Sequence, residues 1–322
     1  MKACDGVELQ LAGDGSLRAW LDTPHARGWL TSAPGTERVV TPQQLSGELA
    51  AAHAEGFVTA DAAVLAMMRT HHPQQLPLLS WDAQQPIAPL APPAPARPLD
   101  LYAIVDSAAR IVKVLAAGVK TVQLRIKTPD QPDAQWQAML RGEIERSVAA
   151  CQEAGAELFV NDHWQLAAEA GAGGVHLGQE DLLALGDAGR AALKATGMAL
   201  GVSSHSLWEL CRALTLGPRY VACGPVWPTL TKAMPWKPQG LDNLAWWCRM
   251  AGVPVVAIGG VLGPVEVEQA ASCGADGVCI VRGLGEQPRD VLPALQQALD
   301  AGRRRAVTAA QPAWPHPSLA NA

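Results

Sequence analysis

The feature that most constrains this chain is the alternation of eight short apolar runs with longer segments of helical period. The runs lie at residues 101–105, 121–125, 157–161, 174–178, 199–203, 220–226, 254–260 and 277–281. Runs without strict polar alternation are typical of parallel strands that are covered on both faces. Eight such units within residues 99–305 predict a (β/α)8 TIM barrel of the α/β class, because doubly wound sheets more usually have about five to seven strands.

The segments outside the predicted barrel differ from it in composition. Residues 86–98 hold six prolines in thirteen positions, which favours an extended linker and excludes a helix or a central strand. The preceding residues 1–85 contain an alanine-rich stretch of helical appearance at 43–68, interrupted at Gly56. We therefore predict a small, mainly helical N-terminal extension. Residues 306–322 carry three prolines and are predicted to form a flexible tail.

Composition excludes several classes of protein. Hydrophobic residues make up 49% of the 322 residues, 17% are charged, and the formal net charge is −5, so pervasive disorder and nucleic-acid coating are both disfavoured. Seven cysteines without a CxxC pair suit a reducing compartment. No basic and apolar leader is present, and no apolar run reaches the ~18 residues of a membrane span. We expect a cytoplasmic protein without nucleic-acid or membrane partners, and a homo-oligomer stays open.

Two aspartates are candidates for metal ligands. Asp162 and Asp181 follow the third and fourth predicted strands, which are neighbours about 5 Å apart in a barrel. Mg²⁺ is commonly held by one or two carboxylates, with water and substrate phosphates at its other positions. The alternative is that both are loop aspartates or helix N-caps, where Asp is common. The sequence leaves these two interpretations open.

Basic residues and glycines gather at the same predicted rim. Arg125, Lys127, Lys232 and Arg282 all follow strands, although the chain as a whole is acidic. A local positive cluster of this kind favours a phosphorylated ligand, and ordinary surface cations are the alternative. Gly259-Gly260 and Gly283 follow the seventh and eighth strands, where TIM barrels often bind phosphate through backbone N–H groups. His205 follows the fifth strand, and its direct participation stays open.

These strand-end residues fall in ordered blocks that carry a family resemblance. The blocks are QLRIK, VND, GVHLGQED, LGVSSH, GPVWPTLTK, PQGL, AIGG and GADGV. As a set, from about residue 99 to 284, they resemble thiamine-phosphate synthase. The resemblance implies a Mg²⁺-dependent transferase of thiamine biosynthesis. Its substrates would be 4-amino-2-methyl-5-(diphosphooxymethyl)pyrimidine and a thiazole phosphate, and its products thiamine phosphate and diphosphate.

The resemblance also implies a role for each matching residue. Gln123 would lie beside the pyrimidine, and Asp162 and Asp181 would bind Mg²⁺. The diphosphate contacts would come from Arg125, Lys127, Asn161 and Lys232, and Ser203 would contact either the diphosphate or the amino region of the pyrimidine. The catalytic candidates are Arg125, Lys127, Ser203 and Lys232. The thiazole phosphate would be bound by Thr229, Thr231, Gly260, Val281 and Arg282. Many family members carry Ser where this chain has Arg282, which leaves open whether its backbone or its guanidinium makes the contact.

The N-terminal region shows a fainter likeness. Its segments TPHARGWL and GFVTADAAVLAMMRTHH resemble the C-terminal end of hydroxymethylpyrimidine phosphate kinase. The HGTGC anion-binding turn of that family is absent, as is its large N-terminal body, which implies a degenerate, inactive remnant. An unrelated helical extension is the alternative. For the barrel, two other functions stay open, a thiazole tautomerase that depends on His205 and a non-catalytic sensor of thiamine phosphate.

Overall fold

The N-terminal region pairs two helices with an antiparallel sheet. In the computed structural model, which describes residues 2–4, 6–11, 17–32, 40–82, 97–229, 235–306 and 313–319, the sheet has the order β1-β2-β3-β4-β5. Its strands are β1 (Lys2–Cys4), β2 (Val7–Leu11), β3 (Leu17–Asp22), β4 (Arg27–Thr31) and β5 (Leu78–Leu79). The helices are α1 (Pro42–Ala54) and α2 (Thr59–Thr70). We call this region the N-terminal module.

The two helices match the predicted helical stretch, and the sheet was not predicted. Thr41 begins α1 because its side chain accepts the Gln44 N–H, while the Gln44 side chain accepts the Thr41 N–H. Gly56, with φ +93°, separates α1 from α2. Ala19 and Leu21 of β3 are buried while Trp20 between them is half-buried. This period-two alternation was the available signal for a strand.

The predicted barrel is confirmed as a closed ring of eight parallel strands. They are β6 (Asp100–Val105), β7 (Thr121–Leu124), β8 (Glu157–Asn161), β9 (Gly174–Leu177), β10 (Ala199–Ser204), β11 (Tyr220–Cys223), β12 (Val255–Ala257) and β13 (Gly277–Ile280). Gly277 of β13 pairs with Asp100 of β6 and closes the ring. Each of the eight predicted runs overlaps one of these strands. The sixth run extends past the end of β11, which stops before Pro225, a residue without an N–H for the ladder.

Helices surround the strands. They are α3 (Ala108–Ala116), α4 (Ala134–Ala154), α5 (Trp164–Glu169), α6 (Gln179–Ala184), α7 (Gly186–Ala195), α8 (Leu207–Leu214), α9 (Gly240–Met250), α10 (Pro264–Ser272) and α11 (Pro288–Ala306), with a 3-10 turn at Arg282–Leu284. Because every strand runs in the same direction, all eight carboxyl ends meet at one rim. None of the helices in the described part of the chain combines the length and apolar composition that a membrane span requires.

The barrel interior is filled by aromatic and aliphatic side chains from the inward strand faces. Tyr102, Phe159 and Tyr220 form its centre, with ring centroids 5.1 to 5.8 Å apart. Glycines make room for these rings. A Cβ on Gly201 would lie 2.3 Å from Cζ of Tyr220, and one on Gly174 would lie 2.6 Å from Cδ1 of Phe159. These glycines therefore serve interior packing.

The N-terminal module is docked on the barrel, mainly through α8. Trp81 donates its indole N–H to Oγ1 of Thr215 at 3.1 Å. The buried guanidinium of Arg212 stacks on Trp81 and on Trp208 and donates to the carbonyl of Arg27 at 3.2 Å. Burial lowers the pKa of Arg212 to about 10. Apolar side chains of the module and of the barrel's outer layer share one buried core.

The segments predicted as linker and tail have different outcomes. Most of the predicted linker 86–98 lies outside the described residues, apart from positions 97 and 98. The prediction of a flexible tail over residues 306–322 is wrong for residues 313–319. His316 donates its backbone N–H to Oδ1 of Asn243 at 2.9 Å and accepts from Nδ2 of the same residue at 3.1 Å, and Leu319 is buried. The Asn243 side chain thus pairs with both the backbone N–H and the backbone C=O of His316, as a neighbouring strand would.

Candidate active site

Most of the predicted site residues lie at the rim formed by the carboxyl ends of the strands. Those in strands are Gln123 (β7), Asn161 (β8) and Ser203 (β10), and those just beyond strand ends are Arg125, Lys127, Asp162, Asp181, Thr229, Gly260, Val281 and Arg282. Gln123, Asn161 and Ser203 face the barrel interior, because they alternate with outward-facing neighbours such as Val122, Val160 and Val202. The other two predicted residues, Thr231 and Lys232, lie outside the described residues.

The two aspartates follow adjacent strands, β8 and β9. Asp162 has φ +66°, a left-handed conformation that Asp tolerates better than most residues. Its backbone N–H donates to the carbonyl of His176 in β9 at 3.1 Å. Asp181 lies in the first turn of α6, where Oδ2 accepts the N–H of Gly178 at 3.1 Å. The helix-cap interpretation is thus observed for one oxygen of Asp181.

This pair fits a metal that keeps most of its positions for other ligands. Both aspartates are exposed at the rim. Among the residues that the structure describes, no three His, Cys, Asp or Glu side chains are grouped as a metal site. A closed structural site of the zinc type would need about four such ligands. Mg²⁺, by contrast, is commonly coordinated by one or two carboxylates together with substrate oxygens. The donor set therefore suits Mg²⁺ delivered with a phosphorylated ligand.

Three cations follow strand ends at the rim, and they differ in burial. Arg125 is half-buried, and its backbone N–H donates to the carbonyl of Val105 at 2.8 Å. The positive charge of Arg125 contributes to lowering the pKa of the buried His176 in β9. Lys127 and Arg282 are exposed. Three of the four predicted cations are thus found at one rim, and the fourth, Lys232, falls outside the described residues.

The glycines after β12 are required by close backbone packing. Gly259 and Gly260 have φ values of +89° and +79°, which disfavour any residue with a side chain. A Cβ on Gly260 would lie 2.5 Å from Cβ of Trp227, and one on Gly259 would lie 2.6 Å from Cβ of Pro225. The loops after β11 and β12 therefore touch, and this contact shapes the corner where the sequence predicted phosphate binding.

A chain of hydrogen bonds crosses the floor of the site. Gln123 donates Nε2–H to the hydroxyl of Tyr102 at 3.1 Å, and the hydroxyls of Tyr102 and Tyr220 are 2.8 Å apart. The Tyr220 hydroxyl lies 2.8 Å from Nδ1 of His176, whose Nε2 lies 3.0 Å from Oγ of Ser203. Both tyrosines were missed in the sequence analysis. The signal was available, because they are the chain's only tyrosines, both fall in predicted buried strands, and a buried phenol needs a partner.

Burial determines the protonation states of the three titratable residues in this series of hydrogen bonds. Desolvation is the main cause that lowers the pKa of His176 to about 4, and the nearby charge of Arg125 lowers it further. The imidazole is therefore neutral at pH 7. Desolvation also raises the pKa values of Tyr102 and Tyr220 well above their usual range, so both phenols keep their protons.

His205 is held at the mouth by partners that the sequence did not reveal. Its Nδ1 lies 2.9 Å from Oε2 of Glu209, and the same oxygen accepts its backbone N–H at 2.6 Å. The imidazole stacks on Trp236 with ring centroids 5.2 Å apart and an interplanar angle of 10°. Gln239 donates to its carbonyl at 2.7 Å. His205 is thus a fixed part of the mouth.

A separate cavity of about 940 Å³ lies in the outer helical layer, away from the rim. It is lined by residues of α9 and α10 and by the end of α11, including Cys248, Arg249 and Cys273. None of the predicted site residues lines it. The rim rather than this cavity holds the chemical groups described above.

Comparisons with known proteins agree on one family. A family model described as thiamine monophosphate synthase matches residues 101–284, which contain all eight barrel strands except the first residue of β6. Thiamine-phosphate synthase of Rhizobium etli is 45% identical over 191 residues, which are 58% of this chain and 87% of that protein. The enzyme of Neisseria meningitidis serogroup B is 44% identical over 209 residues, covering 63% and 96% respectively.

A solved structure is similar as well. Thiamine phosphate pyrophosphorylase from Pyrococcus furiosus aligns with a TM-score of 0.54 and 26% identity, covering 63% of this chain and 96% of that one. The match includes nearly the whole of that protein. The family model does not extend to the N-terminal module, which lies before residue 101.

Proposed function

This chain belongs to the thiamine monophosphate synthase family, and from this premise we propose how its rim carries out the transfer. The chain is a thiamine-phosphate synthase, a transferase of thiamine biosynthesis. It joins 4-amino-2-methyl-5-(diphosphooxymethyl)pyrimidine to a thiazole phosphate and releases diphosphate. The observation that carries the proposal is the coincidence of the family match with a rim at which acidic, basic and amide side chains converge.

The reaction makes one bond and breaks one. The thiazole nitrogen forms a C–N bond to the pyrimidine CH2, and the C–O bond to the diphosphate breaks with its electron pair leaving on oxygen. The attacking nitrogen has no proton to lose, so no general base is required. The difficult part is the negative charge that grows on the leaving diphosphate, and fixed positive charge stabilises it.

Cations at the rim supply that charge. In this proposal Arg125, Lys127 and Lys232 contact the diphosphate, together with Asn161 and Ser203. Half-burial of Arg125 strengthens its electrostatic effect, because the local dielectric is lower than in water. By analogy with lost oxyanion donors, removal of one such contact costs on the order of 3 kcal/mol, or ~10²-fold in rate.

Asp162 and Asp181 are the residues proposed to hold Mg²⁺. When bound, the ion acts as a Lewis acid and template for the diphosphate oxygens. The adjacent strand ends and the single engaged oxygen of Asp181 support this assignment.

The opposite corner is proposed to bind the thiazole phosphate. It comprises Thr229, Thr231, Gly260, Val281 and Arg282. The left-handed backbone of Gly260 and the 3-10 turn that starts at Arg282 support it, because turns of this kind leave N–H groups for an anion. Arg282 adds a positive charge at the exposed edge of the same corner.

The decisive assay is diphosphate release by the purified full chain. Release that needs the pyrimidine diphosphate, the thiazole phosphate and Mg²⁺ together would support the synthase. Thiazole isomerisation without Mg²⁺, abolished by His205→Ala, would indicate the tautomerase instead. Binding of both ligands without either reaction would indicate the sensor.

The N-terminal module is proposed to be a non-catalytic remnant of a pyrimidine phosphate kinase that stabilises the barrel. Its docking through Trp81 and Arg212 supports the stabilising role. Absence of ATP-dependent phosphorylation of the pyrimidine monophosphate by the full chain is the expected result, and turnover would refute the remnant. We also propose that the enzyme works in the cytoplasm, because the six cysteines of the described residues are free thiols.

A further inference from the structure

Five side chains are bonded end to end through the barrel interior, in the order Gln123, Tyr102, Tyr220, His176 and Ser203. The four links measure 3.1, 2.8, 2.8 and 3.0 Å. The first four residues are 0 to 8% exposed, so water does not compete for their protons. Gln123 and Ser203, the two ends of this series of hydrogen bonds, face the mouth of the barrel, where substrate is proposed to bind. We call these five residues the interior relay.

The direction of every hydrogen bond in the interior relay follows from one group. The atom of Gln123 that contacts Tyr102 is an amide nitrogen, which can only donate. The Tyr102 oxygen therefore accepts, and its own proton is directed to the oxygen of Tyr220. The Tyr220 proton is directed in turn to Nδ1 of His176. That nitrogen is an acceptor, so the neutral ring carries its proton on Nε2.

The last link then defines the state of Ser203. Nε2–H of His176 donates to Oγ of Ser203 at 3.0 Å, which leaves the serine proton available to the mouth. A doubly protonated His176 would not fit this order. Its Nδ1–H would also donate to Tyr220, and the buried Tyr220 proton would have no acceptor in the relay, at a cost typical of unsatisfied buried groups.

We propose that Tyr102, Tyr220 and His176 are positioning residues that present the Oε1 of Gln123 as an acceptor and the hydroxyl of Ser203 as a donor to the pyrimidine substrate. This inference rests on the proposed function. The Gln123 oxygen accepts from the exocyclic amino group of the substrate. The Ser203 hydroxyl donates to an acceptor of the same substrate. The relay makes the acceptor role of Gln123 and the donor role of Ser203 depend on each other. If Gln123 presented its N–H to the substrate instead, every hydrogen bond of the relay would reverse, and Ser203 would present an acceptor.

The inference extends to substrate selection. A 4-oxo pyrimidine carries an acceptor where the 4-amino compound carries a donor. Opposite Oε1 of Gln123, it leaves two acceptors facing each other in a buried site. Sites built around a hydrogen bond reject analogues that cannot make it, so we expect at least ~100-fold weaker binding of the oxo compound.

Interior packing supports a fixed relay. The Tyr220 ring fills the space beside Gly201, where a Cβ would lie 2.4 Å from the phenol oxygen. The same ring stacks on His176 with an interplanar angle of 15°. Neither ring has room to turn its polar atoms to other partners.

The first test reads the proton on His176 directly, by ¹⁵N NMR of the full chain without substrates. Assignment comes from loss of the signal in His176→Asn. We expect Nε2 protonated and Nδ1 unprotonated in the parent protein, and a mixture of the two tautomers in Tyr220→Phe. Cys279→Ala removes a buried neighbour of Tyr102 that makes none of the hydrogen bonds of the relay, and it should leave the tautomer unchanged. Protonated Nδ1 in the parent protein, or an unchanged tautomer in Tyr220→Phe, would overturn the proposal.

The second test measures binding of the pyrimidine monophosphate and its 4-oxo analogue by calorimetry. Tyr220→Phe should weaken binding of the amino compound by about tenfold, the value of one net hydrogen bond, and should narrow the preference over the oxo compound. Cys279→Ala should change neither. Equal binding of both compounds to the parent protein would refute the proposed preference for the 4-amino over the 4-oxo pyrimidine.

The two proposals fail separately. The NMR test uses neither substrate nor turnover, so its result does not depend on synthase activity. Diphosphate release together with protonated Nδ1 would refute the interior relay and leave the synthase in place. Protonated Nε2 without diphosphate release would do the reverse.

Discussion

Asp61 of α2 accepts a hydrogen bond from the backbone N–H of Trp208, in the first turn of α8, at 3.1 Å. A carboxyl group of the N-terminal module thus caps a helix of the barrel. Asp61 is 1% exposed. The next residue of the same helix, Glu209, holds His205 at the mouth. Adjacent residues in the first turn of α8 therefore bond to the N-terminal module and to the candidate active site.

The pH dependence of stability should report on Asp61. Burial is the largest cause that raises its pKa from 3.8 to about 7, against the lowering effect of the Trp208 N–H. Between these values the unfolded chain has lost the proton and the folded chain keeps it. The free energy of unfolding should therefore fall as pH rises from about 4 to 7, by up to about 4 kcal/mol, and level off above pH 7.

Asp61→Asn should remove this part of the slope, as measured by urea unfolding across that pH range. Glu153→Gln changes an exposed carboxylate and should keep the slope of the parent protein. An Asp61→Asn variant with the parent slope would show that another group causes it. Asp61→Ala should lower stability by about 1 to 2 kcal/mol at pH 5 through loss of the cap.

The sequence predicted the barrel well because buried parallel strands leave a pattern that needs no knowledge of distant contacts. The sixth predicted run extends to Val226, whereas β11 ends at Cys223. An apolar composition alone does not reveal that the hydrogen-bond ladder stops before Pro225. The N-terminal sheet was missed because the alanine-rich helices dominated that region, although Ala19 and Leu21 alternate with polar or half-buried neighbours.

The placement of the described rim residues could be predicted from the strand ends, but the interior relay could not. Gln123 and Ser203 follow directly from the position of strand ends, whereas the link between Tyr102 and Tyr220 joins residues 118 positions apart. Only barrel closure brings them within hydrogen-bond distance. The same holds for the stacking of Trp236 on His205, because Trp236 lies outside the described helices and strands.

Interior packing predicts a cost for Gly201→Ala. The added Cβ would lie 2.3 Å from Cζ of Tyr220, which is inside van der Waals contact, and the ring is enclosed by Phe159 and Tyr102. We expect the free energy of unfolding to fall by about 1 to 3 kcal/mol, measured by urea titration. Gly173→Ala, where a Cβ would meet nothing within 4 Å, is the control. Equal stabilities for the two variants would contradict the packing described here.

Metal dependence should be sensitive to Asp162. Asp162→Asn removes the charge and keeps a residue type that tolerates φ +66°, so the loop should keep its shape. We expect diphosphate release to fall by ~10²-fold and half-saturation to require more Mg²⁺. Asp300→Asn, on the exposed face of α11, should behave as the parent protein. An unchanged Mg²⁺ requirement in Asp162→Asn would remove Asp162 from the metal site.

His205 distinguishes the synthase from an acid–base enzyme. Its Nδ1 is engaged by Glu209 and its ring stacks on Trp236, an arrangement that supports the mouth, and the proposed reaction has no proton for it to remove. His205→Gln should therefore lower the rate of diphosphate release by less than about tenfold, because general acid–base catalysis contributes 10²-fold or more where it operates. His25→Gln, at an exposed position of the N-terminal module, is the control. A His205→Gln variant with 10²-fold lower activity and an altered pH profile would show that a proton is transferred at this residue, and the mechanism would need a base after all.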